Sequence, residues 1–249
     1  MKKVLITGAS GGFGTEFAIQ LEKKGYALLL HGRDKARLQL TLDALQHPER
    51  HRFMLADLSS RKETEDLIDS LAGSDLYGLV NNAGFGVWGS FAAKESVAQA
   101  DVIRVDLLAP VMLAHAVLPC LIRNKGFMIN VSSLAAETPL PYLATYAAVK
   151  AGMTAWSEAV RLEYQGEVKV VTLAPGPSPT GFRGVSGAPK GKGNMFSTTA
   201  RKIVASSLET LDAGGGYCVP GWRHKLLWSI QKITPRFISL ALMARYLKK

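Results

Sequence analysis

The sequence predicts a single α/β domain built on a doubly wound parallel sheet with helices on both faces. Three observations lead there. A short apolar strand, Lys3 to Thr7, runs directly into T-G-A-S-G-G-F-G and then into a helical pattern through Phe17, Ala18 and Leu21. Apolar runs of strand length recur between helical stretches as far as Tyr217 to Pro220. At 249 residues and 47 % hydrophobic the chain can bury a sizeable core, and no linker, repeat or low-complexity tract marks an internal boundary.

Taken in order, the glycines after the first strand permit a tight turn and a close approach of backbone N–H groups to a pyrophosphate, completed by a helix amino terminus. The second strand, Ala27 to Leu30, is followed by His31-Gly32-Arg33-Asp34, where Asp34 suits a helix amino-terminal cap. The third, Arg52 to Ala56, leads to Asp57-Leu58, with Asp57 able to cap a helix beginning near Ser59. Leu76 to Val80 ends in Asn81-Asn82-Ala83-Gly84. Val105 to Ile122 reads as a long helix with Asp106 near its start; its uncharged run is shorter than the roughly 20 residues that span a bilayer. Apolar on more than one side, it suits burial between the sheet and a second subunit, with His115 a buried structural residue. Phe127 to Val131 carries Ser132 and Ser133 at its carboxyl end, where open α/β sheets place ligands. Val168 to Ala174 leads into Pro175-Gly176-Pro177-Ser178-Pro179-Thr180.

Tyr146 and Lys150 are four residues apart and share one face of a helix. An ammonium about 4 Å from a phenol, at an effective dielectric of about 20, is worth roughly 4 kcal/mol, or about three pKa units, enough to make Tyr146 a general acid near neutrality. A Ser133 hydroxyl on the preceding strand end would hold a substrate oxygen against that phenol. The set suits protonating a carbonyl oxygen while a hydride arrives at carbon.

Composition narrows the remaining classes. Cys120 and Cys218 have neither redox nor metal-ligand spacing and read as core or interface thiols of a reducing cytoplasm. His31, His47, His51, His115 and His224 show no metal-ligand spacing, so no metal is expected. The glycines interrupt the first apolar run too soon for a secretion signal. The formal charge of +10 is concentrated at the end: beyond Asp212 no acid follows, but Arg223, Lys225, Lys232, Arg236, Arg245, Lys248 and Lys249 do. No nucleic-acid motif accompanies them. From Trp222 to Lys249 apolar residues recur at helical spacing around a break at Pro235. This basic extension, residues 221–249, suits an anionic membrane surface, a cover for the substrate cleft or a second subunit.

Together, T-G-x-x-x-G-x-G, N-N-A-G, the strand-end serine and Y-x-x-x-K resemble the short-chain dehydrogenase/reductase superfamily over about Lys2 to Pro220. The resemblance implies a Rossmann-type domain (residues 1–220) in strand order 3-2-1-4-5-6-7, and NAD(P)-dependent interconversion of a small-molecule carbonyl and alcohol by a homodimer or homotetramer. It selects Ser133 over Ser132, since the family's Ser precedes its Tyr by thirteen residues; on a strand Ser132 would face the other way. Lys150 then also holds the nicotinamide ribose. The implied cofactor contacts are Gly8, Ser10, Gly11, Gly12, Phe13, Gly14, Asp57, Leu58, Asn82, Ala83, Gly84, Tyr146, Lys150, Pro175, Gly176, Ser178 and Thr180, with Asn81 the more structural asparagine. Gly32 stands where NAD-using relatives tend to carry Asp, and Arg33 where NADP-using relatives tend to carry Arg, which favours NADP(H).

Two departures matter. Asp106 replaces the Asn of the family's catalytic tetrad; it either relays protons or pairs with Lys150 and blunts its effect on Tyr146. The second outcome keeps open a catalytically weak cofactor-binding scaffold. Gly181 to Asn194, with Arg183, Lys190 and Lys192 among five glycines, reads as a solvated loop or a lid over the substrate.

Overall fold

The computed structural model describes residues 1–188 and 197–247, so Lys190, Lys192, Lys248 and Lys249 lie outside the described residues. Seven parallel strands form one sheet in the order β3-β2-β1-β4-β5-β6-β7. They are β1 (Lys3–Ile6), β2 (Ala27–Gly32), β3 (Arg52–Leu55), β4 (Leu76–Asn81), β5 (Phe127–Val131), β6 (Lys169–Leu173) and β7 (Gly216–Cys218). The helices are α1 (Gly12–Lys23), α2 (Lys35–Asp43), α3 (Arg61–Ser70), α4 (Ser96–Ile103), α5 (Ala109–Arg123), α6 (Ala144–Glu163), α7 (Phe182–Ser186), α8 (Ala200–Asp212), α9 (Trp222–Ile233) and α10 (Arg236–Leu247).

Strand alternation sorts the core into two layers. Val4, Ile6, Val80, Ile129 and Val171 face one side, where Phe17 and Leu21 of α1 and Ile203 and Leu208 of α8 cover them. Leu5, Leu79, Met128 and Val170 face the other, under Leu67 of α3, Leu113 and Val117 of α5, and Trp156 and Val160 of α6. Because β1 lies between β2 and β4, the crossovers leave it in opposite directions and open a crevice at the carboxyl edge of the sheet.

Several boundaries differ from the sequence expectation, each for a pairing reason. His31 and Gly32 belong to β2, since both still pair with Met54 and Leu55 of β3. Strand β7 is Gly216–Cys218 and stops before Val219, where its register with β6 ends. Helix α3 starts at Arg61, capped by Ser60 accepting from the Glu63 N–H, and Glu63 reaches back to the Asp57 N–H at 2.8 Å. Asp57 therefore caps the Ser59 turn ahead of the helix, with Oδ1 accepting from the Ser59 N–H and hydroxyl at 2.9 and 2.8 Å.

The long apolar helix begins earlier than expected and is not uniform. Between α4 and α5 the backbone passes through one π-helical segment, Arg104–Leu108. Pro110 supplies the reason: it has no N–H to offer the carbonyl four residues back, that of Asp106, so the regular ladder breaks there. Ser96–Arg123 together is long and apolar enough to cross a membrane by length and composition, but Leu113, Val117 and Leu121 pack it onto the sheet. His115, expected to be buried, is exposed, as it lies on the face of α5 turned away from the sheet.

Pro235 separates α9 from α10, as the spacing predicted. His224 on α9 is fully buried, whereas Trp222, Leu226, Ile230 and Ile233 form an exposed apolar stripe along the opposite side.

Candidate active site

The glycine turn opens the crevice. Gly8 has φ +63, and a Cβ on it would lie 2.8 Å from the Ala83 Cα; a Cβ on Gly12 would lie 2.6 Å from the Thr180 Cβ. The strand ends thus meet as bare backbone, and Gly11 gives α1 no side-chain cap, so the first-turn N–H groups are left for an anion. That cradle fits the pyrophosphate of a dinucleotide. Thr7 holds it together: its hydroxyl accepts from the Asn82 and Ala83 N–H groups at 2.9 and 3.0 Å, and Asn82 Nδ2 donates back to the Thr7 and Gly8 carbonyls at 2.9 and 3.1 Å. Asn81 Nδ2 instead donates to Asn130 Oδ1 at 2.9 Å, inside a buried chain that continues through Ser157 and Thr172.

The other predicted cofactor residues gather along the same edge. Gly14 is buried within α1, Phe13 packs partly against the core, and Leu58 is buried under it. Arg33, 72 % exposed, lies 3.6 Å from Asp57 Oδ2. Asp57 sits below the usual carboxylate range: burial pushes it up, but the Ser59 hydrogen bonds and Arg33 outweigh this. Arg37 reaches the glycine turn itself, donating to the Ser10 carbonyl at 3.4 Å. Ser178 accepts from the Thr180 N–H through its carbonyl at 3.0 Å.

Helix α6 carries Tyr146 and Lys150 to the end of β5. The Ser133 hydroxyl accepts from the Ala135 N–H at 3.1 Å and faces the Tyr146 phenol, favouring its ionised form. Ser132 keeps the alternation of β5 and lies on the α6 face with Met128 and Asn130, its hydroxyl donating to the Lys150 carbonyl at 3.0 Å and pairing with Thr154 at 2.6 Å; the strand ends there, and Ser133 turns to the same helix instead of the opposite face. Lys150, 5 % exposed, has Nζ 5.6 Å from the Tyr146 ring centroid and donates to the Val131 carbonyl at 3.0 Å.

Asp106 completes the set. Its side chain is fully buried, Oδ1 accepts from the Phe85 N–H at 2.8 Å, and Oδ2 lies 3.0 Å from Lys150 Nζ. A Cβ on Gly84 would meet this carboxylate at 2.6 Å, so the residue after Ala83 has to be bare for Asp106 to fit. Burial pushes Asp106 up against the pull of Lys150; burial pushes Lys150 down, but Asp106 and Tyr146 hold it above its ordinary value.

The phenol behaves differently from the sequence expectation. Tyr146 lies above its ordinary value, because burial and the Asp106 carboxylate together outweigh Lys150 and Ser133. The ion pair thus offsets part of the electrostatic help that the spacing of Tyr146 and Lys150 offers. Beside the phenol's ring lies Phe182, at 5.0 Å; Trp88 and Tyr142 stack on each other at 5.8 Å.

Two supporting residues were not singled out from the sequence. Glu137, four residues after Ser133, accepts from Tyr217, Trp228 and Lys232. His224 accepts from the Gly176 N–H. Neither stands in a recognisable pattern; only the folded chain brings their partners to them.

A parallel sheet in this order, a glycine turn at its first crossover and a serine, tyrosine and lysine at its carboxyl edge define a dinucleotide-dependent α/β oxidoreductase. The family model for short chain dehydrogenase matches residues 2–190, and the chain belongs to that family. Among curated relatives it is 28 % identical over 242 residues to hydroxysteroid dehydrogenase-like protein 1 of Gallus gallus, covering 94 % of this chain and 72 % of that protein. It is 27 % identical over 248 residues to a very-long-chain 3-oxoacyl-CoA reductase of Mycosarcoma maydis, covering 93 % and 69 % respectively. A short-chain dehydrogenase from Sphingobium yanoikuyae, solved in complex with NADPH, shares the fold with TM-score 0.83 and 24 % identity, over 98 % of this chain and 96 % of that one.

Proposed function

We propose that the protein reduces the carbonyl group of an apolar ketone or aldehyde with NADPH, or oxidises the corresponding alcohol with NADP. The observation that carries this reading is the convergence of Ser133, Tyr146 and Lys150 beside the glycine cradle. The glycine cradle would hold a reduced nicotinamide dinucleotide, which would supply the hydride for the carbonyl carbon. Ser133 holds the carbonyl oxygen and Tyr146 gives it a proton. Lys150 orients the nicotinamide ribose and offsets the charge left on the phenol. Asp106 keeps Lys150 in place and passes the replacement proton from solvent to the phenolate.

NADP(H) is favoured by the charge around the adenosine end of the crevice. No carboxylate stands at Gly32, while Arg33 closes the end of β2 and Arg37 leans over the Ser10 carbonyl, so two guanidinium groups suit a 2′-phosphate. An apolar substrate is favoured by the Phe182 ring beside Tyr146. The names of the relatives, a hydroxysteroid dehydrogenase-like protein and a very-long-chain 3-oxoacyl-CoA reductase, agree with such a substrate.

Replacing Tyr146 by Phe removes turnover and leaves NADPH affinity within about twofold, measured by stopped-flow absorbance and by quenching of protein fluorescence. Undiminished hydride transfer in that variant refutes the assigned acid. The buried Asp106–Lys150 pair favours a second reading, a cofactor-binding scaffold of low turnover. Tight NADPH binding without oxidation by any ketone or aldehyde in a broad panel selects it.

Outside the site, residues 221–249 form a basic extension whose apolar stripe on α9 is flanked by Arg223 and Lys225, a pattern suited to peripheral contact with anionic lipid. Exposed Ile103 and Leu108 beside α5 and Leu162 on α6 suit self-association along those helices.

A further inference from the structure

Helix α9 reaches the back of the candidate site at two points. The first is Glu137. Ser133 opens a short 3-10 turn, Leu134–Ala136, and Glu137 closes it. The Glu137 carboxylate, 10 % exposed, accepts from the Tyr217 hydroxyl at 2.8 Å and from Trp228 Nε1 at 3.0 Å, both through Oε1, and its Oε2 pairs with Lys232 Nζ at 2.8 Å. Two of these three donors, Trp228 and Lys232, belong to α9. Three donors on a nearly buried carboxylate make a strong, directional anchor.

The second point is His224. Its ring is fully buried and its Nδ1 accepts from the Gly176 N–H at 3.2 Å. A Cβ on Gly176 would lie 2.6 Å from the imidazole, so the glycine of the Pro175–Gly176 turn is needed for the ring to approach. The two turns are also tied to each other, with the Leu134 N–H donating to the Pro175 carbonyl at 3.0 Å. Beneath them Leu134, Ala174 and Val219 form a small apolar cluster that Leu227 and Trp228 of α9 complete.

We propose that α9 is a working part of the active site: Glu137 and His224 are positioning residues that fix the Ser133 turn against the Pro175–Gly176 turn. The proposal concerns the geometry of the catalytic edge and rests on the reading that Ser133 orients the substrate oxygen. The physical reason is distance. A misplacement of about 1 Å in a group that orients the reacting atoms can cost roughly a hundredfold in rate, and α9 adds a second tie to the one bond that joins the two turns directly.

The test uses the full chain with Glu137→Ala, Glu137→Gln and His224→Ala, and it has two independent readouts. Hydrogen–deuterium exchange, read without any substrate, is expected to rise at least roughly tenfold in residues 133–138 and 174–178 of the two alanine variants. Exchange in β1, β4 and α1 stays unchanged, and Glu137→Gln, which keeps an acceptor for Tyr217 and Trp228, falls between Ala and wild type. With a carbonyl compound that wild type reduces, kcat falls about ten- to a hundredfold in Glu137→Ala, a larger change than the rise in NADPH Kd, because the glycine turn that cradles the pyrophosphate is not loosened.

Exchange that is unaltered in both turns, or that rises equally through the whole sheet as in a global loss of stability, overturns the proposal. Unaltered kcat in Glu137→Ala does so as well. If wild type reduces no carbonyl compound, the proposed function fails by itself, and the exchange pattern still decides whether α9 holds the two turns.

Discussion

Replacing Asp106 by Asn removes one charge from the site while keeping an oxygen to accept from the Phe85 N–H at 2.8 Å. In the wild type the carboxylate sits 3.0 Å from Lys150 Nζ, which in turn lies 5.6 Å from the Tyr146 ring centroid. Taking the three in line, the carboxylate is roughly 9 Å from the ring, and at an effective dielectric of about 20 its charge is worth ~2 kcal/mol, a little over one pKa unit on the phenol. The sign is fixed by the reaction. Reduction needs the protonated phenol, so its rate falls as pH rises through the Tyr146 pKa, which in the wild type stands above its ordinary value. In Asp106→Asn that fall begins about one unit lower, and the rise of the reverse oxidation with pH moves down by the same amount. Lys150 loses its partner too and itself titrates lower, so the gain in phenol acidity is confined to pH values at which Lys150 keeps its charge. The assay is kcat/KM for NADPH-dependent reduction between pH 6 and about pH 11, with the NADP-dependent oxidation measured in parallel. A falling limb that stays in place or moves upward refutes the claim that Asp106 holds the phenol's pKa up.

Arg33→Ala combined with Arg37→Ala is expected to weaken NADPH at least about tenfold relative to NADH, because both guanidinium groups flank the same end of the crevice; equal loss for the two cofactors removes the phosphate assignment. His31, buried with its Nε2 on the Ala56 carbonyl, is held down to about 4 from an ordinary 6.5 by burial. Since the unfolded chain binds the extra proton first, this group's contribution to stability is complete above pH 6.5 and is lost as pH falls toward 4, about 3 kcal/mol in all. Urea titrations at several pH values should show that slope in the wild type and a flatter one in His31→Gln; parallel slopes refute it. Sedimentation with vesicles containing anionic lipid should carry down the full chain at low salt and release it at high salt, and Ile233→Glu should weaken binding; no binding at any salt removes the membrane contact.

How much was legible in the sequence depended on how local each signal is. A glycine turn between a strand and a helix is encoded in adjacent residues, and so is Tyr146 four residues before Lys150; both stand where they were expected. Strand ends were less legible because pairing partners, not hydropathy, decide them: His31 stays in β2 since Met54 is opposite it. The exposure of His115 was hidden by an apolar helix whose outer face is apolar as well. The net direction of the Tyr146 pKa could not follow from one pair of residues, since it is set first by burial, with Asp106 adding to it from a different helix. Glu137 gave no signal, because its three donors come from β7 and α9, 80 to 95 residues further along the chain.

Asp106 and Glu137 place two carboxylates behind the same catalytic edge, one below Lys150 and one below Ser133. Asp106 is not best understood as a source of stability, since burial leaves its carboxyl above the usual range despite Lys150. Burying a charge pair costs several kcal/mol of desolvation per ion, and an apolar substitution of similar volume commonly restores as much. An apolar residue has no direction, however. The Asp106 carboxylate fixes the Phe85 amide and the Lys150 ammonium relative to each other, and Glu137 does the same for Tyr217, Trp228 and Lys232. Each joins segments that arrive from different crossovers and share no strand pairing at that point. On this reasoning Asp106 exchanges folding energy for orientation, and a variant that repacks it with an apolar side chain should lose activity more readily than it loses the fold.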